Sequence, residues 1–250
     1  MKSVKRYVAN NLAYLDYYPL NPNSTLPSKG LAYQPRLETP IYVRGLRFKE
    51  FKELATIDNN TTSPNDFVQV LNIYKSCIDN DSLATIDDLF TEDLIMLSLW
   101  IQSFTIDNLD FTATFYCKDC RHSFSSSLDI ERLQFNDFTS FTPTTIDTSL
   151  GKLSIFAETL KERQQYCLLP DNLQTIANEE ALLIKTLNDT PLSIGERVEV
   201  CNALKRDDIN KFLEATSQFK SGAIKTTRNC EKCNTTITSL VKLDLLKGLL

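Results

Sequence analysis

The stretches YCKDC (residues 116–120) and NCEKC (residues 229–233) lie far apart in the chain but share one pattern. Each holds two cysteines separated by two residues, and alternating residues around each predict a strand, a turn and a second strand. Such a knuckle directs two thiolates the same way, and two facing knuckles complete the tetrahedral set that zinc prefers. The sequence therefore predicts a structural Zn2+ site whose ligands are Cys117, Cys120, Cys230 and Cys233.

The interval between the two knuckles is unusual. Zinc ribbons separate their knuckles by about 15–20 residues, whereas here the interval runs from Cys120 to Cys230 and contains several predicted helices. We therefore predict a split zinc ribbon with a helical insertion. Two alternatives are an unmetallated thiol pair at each turn and redox catalysis of the thioredoxin kind. The redox alternative requires a cysteine that opens a helix after a strand, which neither motif shows.

The remaining cysteines and the single histidine have simpler interpretations. Cys77, Cys167 and Cys201 lie on apolar segments and are predicted to be small core residues. His122 follows Cys120 by two positions, but four thiolates already complete a site, so we interpret it as a turn residue. A closed four-cysteine site is typical of structural zinc, because catalytic zinc keeps an open position and usually has histidine ligands.

Bulk properties exclude several classes of protein. The chain has 250 residues, enough to bury a core without disulfides, and its formal net charge of -5 argues against a protein that coats nucleic acid. No apolar run approaches the length of about 20 residues that crosses a bilayer, and the amino terminus lacks a signal-peptide pattern. We expect a cytoplasmic protein without membrane contact, in which paired cysteines indicate metal or redox chemistry.

Apolar periodicity predicts the α+β class, with a mainly helical body, a split zinc ribbon and an extended N-terminal arm. The arm is rich in Asn, Pro and Tyr, and its aromatic residues could dock either on this chain's own body or on a partner. Residues 106–250 are expected to form one zinc-stapled unit. The predicted regions are the arm (1–40), a helical region (41–106), the first knuckle hairpin (107–135), a mainly helical insertion (136–221), and the second knuckle hairpin with the C-terminal tail (222–250).

Local signals predict where several elements begin. Ile41 to Arg44 reads as a strand, and helices are predicted to begin at Pro64, Thr91 and Ser193. The segment after Thr91 is apolar around much of its girth, which places it in the core. Further predictions are capping boxes at Thr85/Asp88 and Ser193/Glu196, a loop over residues 136–150, a strand over Lys152 to Leu160 and a helix over Leu173 to Leu187.

The sequence lacks the motifs of common enzymes. It has no phosphate-binding glycine-rich loop, no Gly-x-Ser-x-Gly elbow and no histidine placed beside a nucleophile. The chain is therefore not predicted to be an enzyme.

Several segments, in order, resemble a known family. They are LPSKGLAY (26–33), IYVR (41–44), residues 94–104 leading into the first Cys-x-x-Cys, GERVEV (195–200) and the second Cys-x-x-Cys. Together they resemble the baseplate hub family of T-even-type contractile-tailed bacteriophages, which includes hub assembly factors. The resemblance spans about residues 26–240.

The resemblance implies a non-enzymatic role in building the central hub of a viral tail baseplate. The chain would be either a retained hub component or an assembly factor that is left out of the finished particle. Its implied partners are phage baseplate hub proteins, with a homo-oligomer as a further option. The implied location is the host cytoplasm, or the virion if the chain is retained.

A nucleic-acid-binding zinc ribbon is the alternative function, because paired knuckles commonly serve that purpose. Basic residues gather around the predicted tips, but acidic residues stand among them. The basic residues are Lys118, Arg121, Arg228 and Lys232, and the acidic ones are Asp119 and Glu231.

Overall fold

The computed structural model combines helices with small antiparallel sheets, as expected for an α+β chain. It describes residues 3–8, 13–57, 64–86, 88–105, 112–127, 130, 133, 141–219 and 224–241.

The strands form antiparallel sheets of order β1-β2-β3, β4-β5, β6-β7-β8-β9 and β10-β11. Their bounds are β1 Val4–Val8, β2 Ala13–Leu20, β3 Ile41–Val43, β4 Thr112–Tyr116, β5 Ser123–Ser127, β6 Thr144–Thr148, β7 Gly151–Ile155, β8 Ile184–Leu187, β9 Thr190–Pro191, β10 Ile224–Asn229 and β11 Thr236–Val241. The helices are α1 Pro22–Thr25, α2 Phe48–Ala55, α3 Pro64–Lys75, α4 Asn80–Ala84, α5 Thr91–Thr105, α6 Leu160–Tyr166, α7 Ile176–Glu179, α8 Ile194–Ala203 and α9 Arg206–Ser217.

Helix α5 lies at the centre of the main core. It is buried on most of its surface, as its apolar girth predicts, and Leu94, Leu97 and Ile101 have no exposed area. Inside the core, Gln102 Nε2 on α5 donates to the Tyr74 hydroxyl over 2.7 Å. Helix α3 and strand β3 pack against this helix.

The N-terminal region differs from the extended arm predicted for residues 1–40. In its described part, β1 and β2 form a hairpin, β2 continues into pairing with β3, and Leu20 and Leu26 enter the main core. The aromatic residues Tyr17 and Tyr33 are buried, so they dock on this chain's own body. The sequence shows no sustained period here because a strand, a four-residue helix and an irregular turn follow one another within a short span.

A buried carboxylate holds this region against α5. Asp93 accepts a hydrogen bond from the backbone N–H of Ser28 over 2.9 Å and another from the Ser28 hydroxyl over 2.5 Å. The Tyr33 hydroxyl lies nearby and accepts from the N–H of Phe90 over 3.3 Å. A charge buried this deeply is tolerated because donors surround it.

The insertion predicted as mainly helical over residues 136–221 also contains the sheet β6-β7-β8-β9. A loop was predicted over residues 136–150, but Thr144–Thr148 of this range form strand β6. A strand was predicted over Lys152 to Leu160, but β7 ends at Ile155 and α6 begins at Leu160. The predicted helix over Leu173 to Leu187 is reduced to short helical turns followed by β8. Asn188 and Asp189 both have positive φ, the geometry of a tight hairpin, which turns the chain from β8 into β9.

The insertion shares its core with the region predicted as helical. The N–H of Leu160 donates to the carbonyl of Leu89 over 2.8 Å, and Leu153, Ile155 and Leu183 belong to the same buried cluster as α5. The main core therefore runs across the predicted boundary at residue 106.

An ionic network fastens α6 to its neighbours. Glu162 accepts from Lys185 Nζ over 2.5 Å and from Arg197 over 2.7 Å, while Arg163 pairs with Glu158 over 2.7 Å and with Glu179 over 3.0 Å. Three acids and three bases balance in this cluster, so it carries no net charge for a ligand and serves to position elements.

Several predicted element ends are confirmed. The described part of α3 begins at Pro64, α5 begins at Thr91, and Ser193 and Glu196 form the capping box of α8. The capping box predicted at Thr85 and Asp88 is wrong: Thr85 follows the end of α4, and its hydroxyl donates back to the carbonyl of Ser82 over 2.7 Å. The Asp88 carboxylate accepts instead from the N–H of Lys161 in the first turn of α6, over 3.2 Å.

None of the helices in the described part of the chain combines the length and apolar character required to cross a membrane.

Candidate metal centre

Each predicted knuckle lies at the tip of a hairpin, and the two tips have the same backbone geometry. β4 and β5 pair from Thr112 with Ser127 to Tyr116 with Ser123, and β10 pairs with β11 in the same antiparallel manner. The N–H of Cys117 donates to the carbonyl of His122 over 2.9 Å, and the N–H of Cys230 donates to the carbonyl of Thr235 over 2.8 Å. Both bonds join the first cysteine to the residue five positions later.

The residue after the second cysteine adopts a left-handed conformation in both tips. Its φ is 57° at Arg121 and 60° at Asn234. This conformation is uncommon for residues other than glycine, so its recurrence at matching positions indicates that the two turns are built alike. The turn brings both sulfurs of a knuckle to one side of the tip.

The two tips face each other although they are far apart in sequence. Cys120 and Cys230 are 110 positions apart, and their Sγ atoms lie 3.5 Å from each other. Cys117 and Cys233 are also 3.5 Å apart at Sγ, and the four sulfurs all lie within 4.8 Å of one another. A disulfide requires about 2.05 Å between sulfurs, so these cysteines are free thiols.

These distances fit a tetrahedral metal site. With metal–sulfur bonds of about 2.3 Å, the ligand sulfurs of a zinc tetrahedron lie about 3.8 Å apart. The spacing of the four Sγ atoms brackets that value. The geometry is therefore compatible with a metal ion held by all four cysteines.

Electrostatics also favour a cation among these sulfurs. Contacts with Thr235, first its side chain and then its backbone, lower the pKa of Cys233 to about 6, whereas desolvation raises the pKa of Cys120 to about 12. Negative charges held this close together repel one another. A bound dication removes that obstacle, because metal binding displaces the thiol protons.

A small apolar cluster packs against the four cysteines. Phe115 and Phe124 stack with ring centroids 5.4 Å apart, and Ile237 of the other hairpin packs against them. Arg228 connects the hairpins by donating to the carbonyl of Ser127 over 2.9 Å. Cys117 and Cys230 are buried in this cluster, whereas Cys233 is exposed. The site is therefore shallow, with two of its sulfurs at the protein interior and one at solvent.

The other residues considered from the sequence lie outside this group. His122 stacks on Phe124 with ring centroids 5.8 Å apart, and its carbonyl accepts from the N–H of Cys117 in the knuckle turn. Cys77 and Cys167 are buried and Cys201 is half-buried, each away from the four-cysteine group. Among the basic residues near the tips, Arg228 donates to the facing hairpin, at the carbonyl of Ser127.

One protein family matches most of this chain. The family described as "T4 bacteriophage base plate protein" matches residues 26–247, which include the four cysteines. This chain belongs to the T4 bacteriophage base plate protein family. Comparison with curated proteins and with solved structures gave no match.

Family membership identifies the broad setting of the site. The chain is a phage baseplate protein, and its two cysteine knuckles lie within the part that defines the family. Membership of this family implies interaction with other phage baseplate proteins.

Proposed function

We propose that this baseplate protein is a non-enzymatic hub assembly protein, acting as an assembly factor or a hub component through protein–protein contacts. The family match supports the baseplate setting. The resemblance of its segments to hub proteins supports the finer assignment. Its partners would be other hub proteins, and it would act in the host cytoplasm or in the tail baseplate of the virion.

Zinc is the metal proposed for the four cysteines, where it would act as a structural staple. The observation that carries this proposal is the meeting of two matched knuckles from distant parts of the chain. Tetrahedral sets of four sulfurs are used by zinc and by iron. A site with all four positions taken by protein leaves no room for a substrate. Bound zinc would supply charge compensation and a fixed relative orientation of the two hairpins.

Phage complementation can test the assembly role and its dependence on the cysteines. A phage lacking this chain would be supplied in trans with wild type, with Cys117→Ser or with Cys201→Ser, and completed tails would be counted by electron microscopy. We expect wild type and the Cys201→Ser control to restore tails and Cys117→Ser to fail. Cys117 belongs to the four-sulfur group, whereas Cys201 does not. Full rescue by Cys117→Ser would contradict a role for the metal centre in assembly.

The same preparations can distinguish a hub component from an assembly factor. Quantitative mass spectrometry would compare the chain's abundance in purified tails with its abundance in assembly intermediates from infected cells. Presence in purified tails identifies a component, and presence only in intermediates identifies a factor. Absence from both would contradict the proposed function.

A further inference from the structure

Strand β1 is an end strand that is paired along one side only among the described residues. Its five residues pair with β2, from Val4 opposite Tyr17 to Val8 opposite Ala13, and the sheet order is β1-β2-β3. The outer edge of such a strand presents alternate N–H and C=O groups without a backbone neighbour. β1 therefore offers the hydrogen-bonding edge that an additional strand requires.

The side chains at the start of β1 are exposed to solvent. Val4 is 45% exposed, and Lys5 and Asp16 are exposed, whereas burial begins with Tyr17. A further strand on the outer edge of β1 would add a ladder of backbone hydrogen bonds.

The charges on β1 indicate which kind of strand could pair with its outer edge. Its sequence, VKRYV, carries Lys5 and Arg6 and no acid, and the residue opposite Lys5 on β2 is Asp16. Opposite charges on directly facing residues stabilise a strand pair, and like charges destabilise it. The full antiparallel register between β1 and β1 of a second copy would place Arg6 opposite Arg6. The charges therefore disfavour self-pairing in that register and favour a strand that carries carboxylates.

We propose that β1 binds an extended acidic segment of another baseplate protein by strand addition. The backbone edge provides the hydrogen bonds common to this mode of recognition, and Lys5 and Arg6 provide the preference for acidic residues. The nature of the partner rests on the proposed function, but the docking edge is independent of the metal centre. The hairpin precedes residues 26–247, which are the residues that match the family.

Site-specific photo-crosslinking in assembling baseplates tests this proposal. Val4→p-benzoylphenylalanine would place the crosslinker on β1, and Glu199→p-benzoylphenylalanine on the exposed side of α8 would be the matched control. After irradiation of assembly intermediates, mass spectrometry would identify the attached peptide. We expect an adduct from the β1 position to an acidic, strand-forming segment of another baseplate protein, and no such adduct from the α8 position.

A charge-neutral variant provides a second readout. In the variant that carries p-benzoylphenylalanine at position 4, the further substitutions Lys5→Gln and Arg6→Gln should reduce the yield of the crosslinked adduct about tenfold. The reason is that electrostatic complementarity contributes to partner choice and association rate. Hydrogen exchange of the hairpin in the free chain would verify that β1 and β2 remain paired. An adduct to a second copy of this chain, to a segment without acidic residues or to no protein would overturn the proposal. So would an unchanged yield in the neutral variant.

The outcomes separate this proposal from the proposed function. If the chain is found in tails or assembly intermediates but the β1 position gives no adduct, only the strand-addition proposal fails. If the chain is found in neither, the baseplate hub role fails, whatever the crosslinker shows.

Discussion

Gly30 is a residue whose identity the backbone dictates. Its φ is +77°, and a Cβ atom at this position would lie 2.2 Å from the carbonyl oxygen of Leu37. The same turn is closed by the N–H of Leu37, which donates to the carbonyl of Gly30 over 3.0 Å. Only glycine fits both the left-handed conformation and the close approach, which delivers Ser28 and Tyr33 to α5.

Gly30→Ala should lower the free energy of unfolding by at least about 2 kcal/mol, since the conformation alone costs about 1–2 kcal/mol and the clash adds to it. Urea denaturation followed by circular dichroism measures the change. Gly195→Ala on α8 is the matched control, because nothing lies within 4 Å of the position that a Cβ atom would take there and alanine favours a helix by about 1 kcal/mol. Equal stability of the two variants would contradict this account of the turn.

Asp93 should make stability depend on pH. Burial raises the pKa of Asp93 from 3.8 to about 6, and hydrogen bonds from Ser28 oppose that rise. The folded state therefore holds this proton more tightly than the unfolded state. The resulting stabilisation is fully present below about pH 4 and is lost as the pH rises through about 6, and it amounts to about 3 kcal/mol.

Asp93→Asn removes this titration while keeping the size of the side chain. Urea denaturation of both proteins between about pH 4 and pH 7 would show the wild type losing stability relative to the variant by about 3 kcal/mol. Acid effects on the cysteines cancel in that difference, since both proteins retain them. A difference that stays constant across this range would mean that Asp93 does not titrate as its burial implies.

At the scale of elements, local signals were sufficient where the chain itself supplies the cap or the periodicity. α8 is predictable because Ser193 and Glu196 satisfy each other's backbone donors, and α5 because its residues are apolar on every side. Thr159 and Glu162 form the same kind of capping box before α6. That signal was present in the sequence and would have identified the missed helix.

Elements that depend on distant partners could not be predicted in this way. β6 is a threonine-rich strand held by β7 and by α9, where Lys211 donates to the carbonyl of Asp147 over 3.0 Å. β2 pairs with β3, and its last residue, Leu20, lies in the main core. Their strand character comes from tertiary contacts, which outweigh the loop-like local composition. The two knuckles and their joint site could be predicted because cysteine spacing reflects the chemistry of the site directly, whereas the distances between the sulfurs are visible only in three dimensions.

The cap of α8 can be tested in isolation. Ser193 Oγ accepts from the N–H of Glu196 over 3.4 Å, and the Glu196 carboxylate accepts from the N–H of Ser193 over 2.8 Å. Ser193→Ala should lower the free energy of unfolding by about 1 kcal/mol. Ser217→Ala, at the exposed end of α9, should change it by less than about 0.5 kcal/mol. Thermal melts of both variants provide the comparison, and an equal effect would contradict the capping role.

At the scale of the whole molecule, the metal centre lies outside the main core. The main cluster joins residues from Leu20 to Phe219, whereas the cysteines pack with Phe115, Phe124 and Ile237 in a separate cluster. The sequence suggested a staple for the whole of residues 106–250. The structure shows that the described insertion residues are anchored to α5 independently. A metal bound by the four cysteines would therefore act on the two hairpins.

Metal removal should therefore loosen the hairpins and spare the core. Hydrogen exchange monitored by mass spectrometry, before and after treatment with a zinc chelator, should show faster exchange in residues 112–127 and 224–241. Exchange in α5 should change little, because its neighbours do not depend on the four cysteines. Unfolding of α5 together with the hairpins would show instead that the metal maintains the whole fold.

The metal content of the purified chain, measured by inductively coupled plasma mass spectrometry, tests the central claim most directly. We expect about one zinc ion per chain in wild type and in Cys201→Ser, and a large loss in Cys117→Ser, because four thiolates complete a zinc site and three leave it open. A folded wild-type chain that carries no metal, or that carries iron in place of zinc, would contradict the claim.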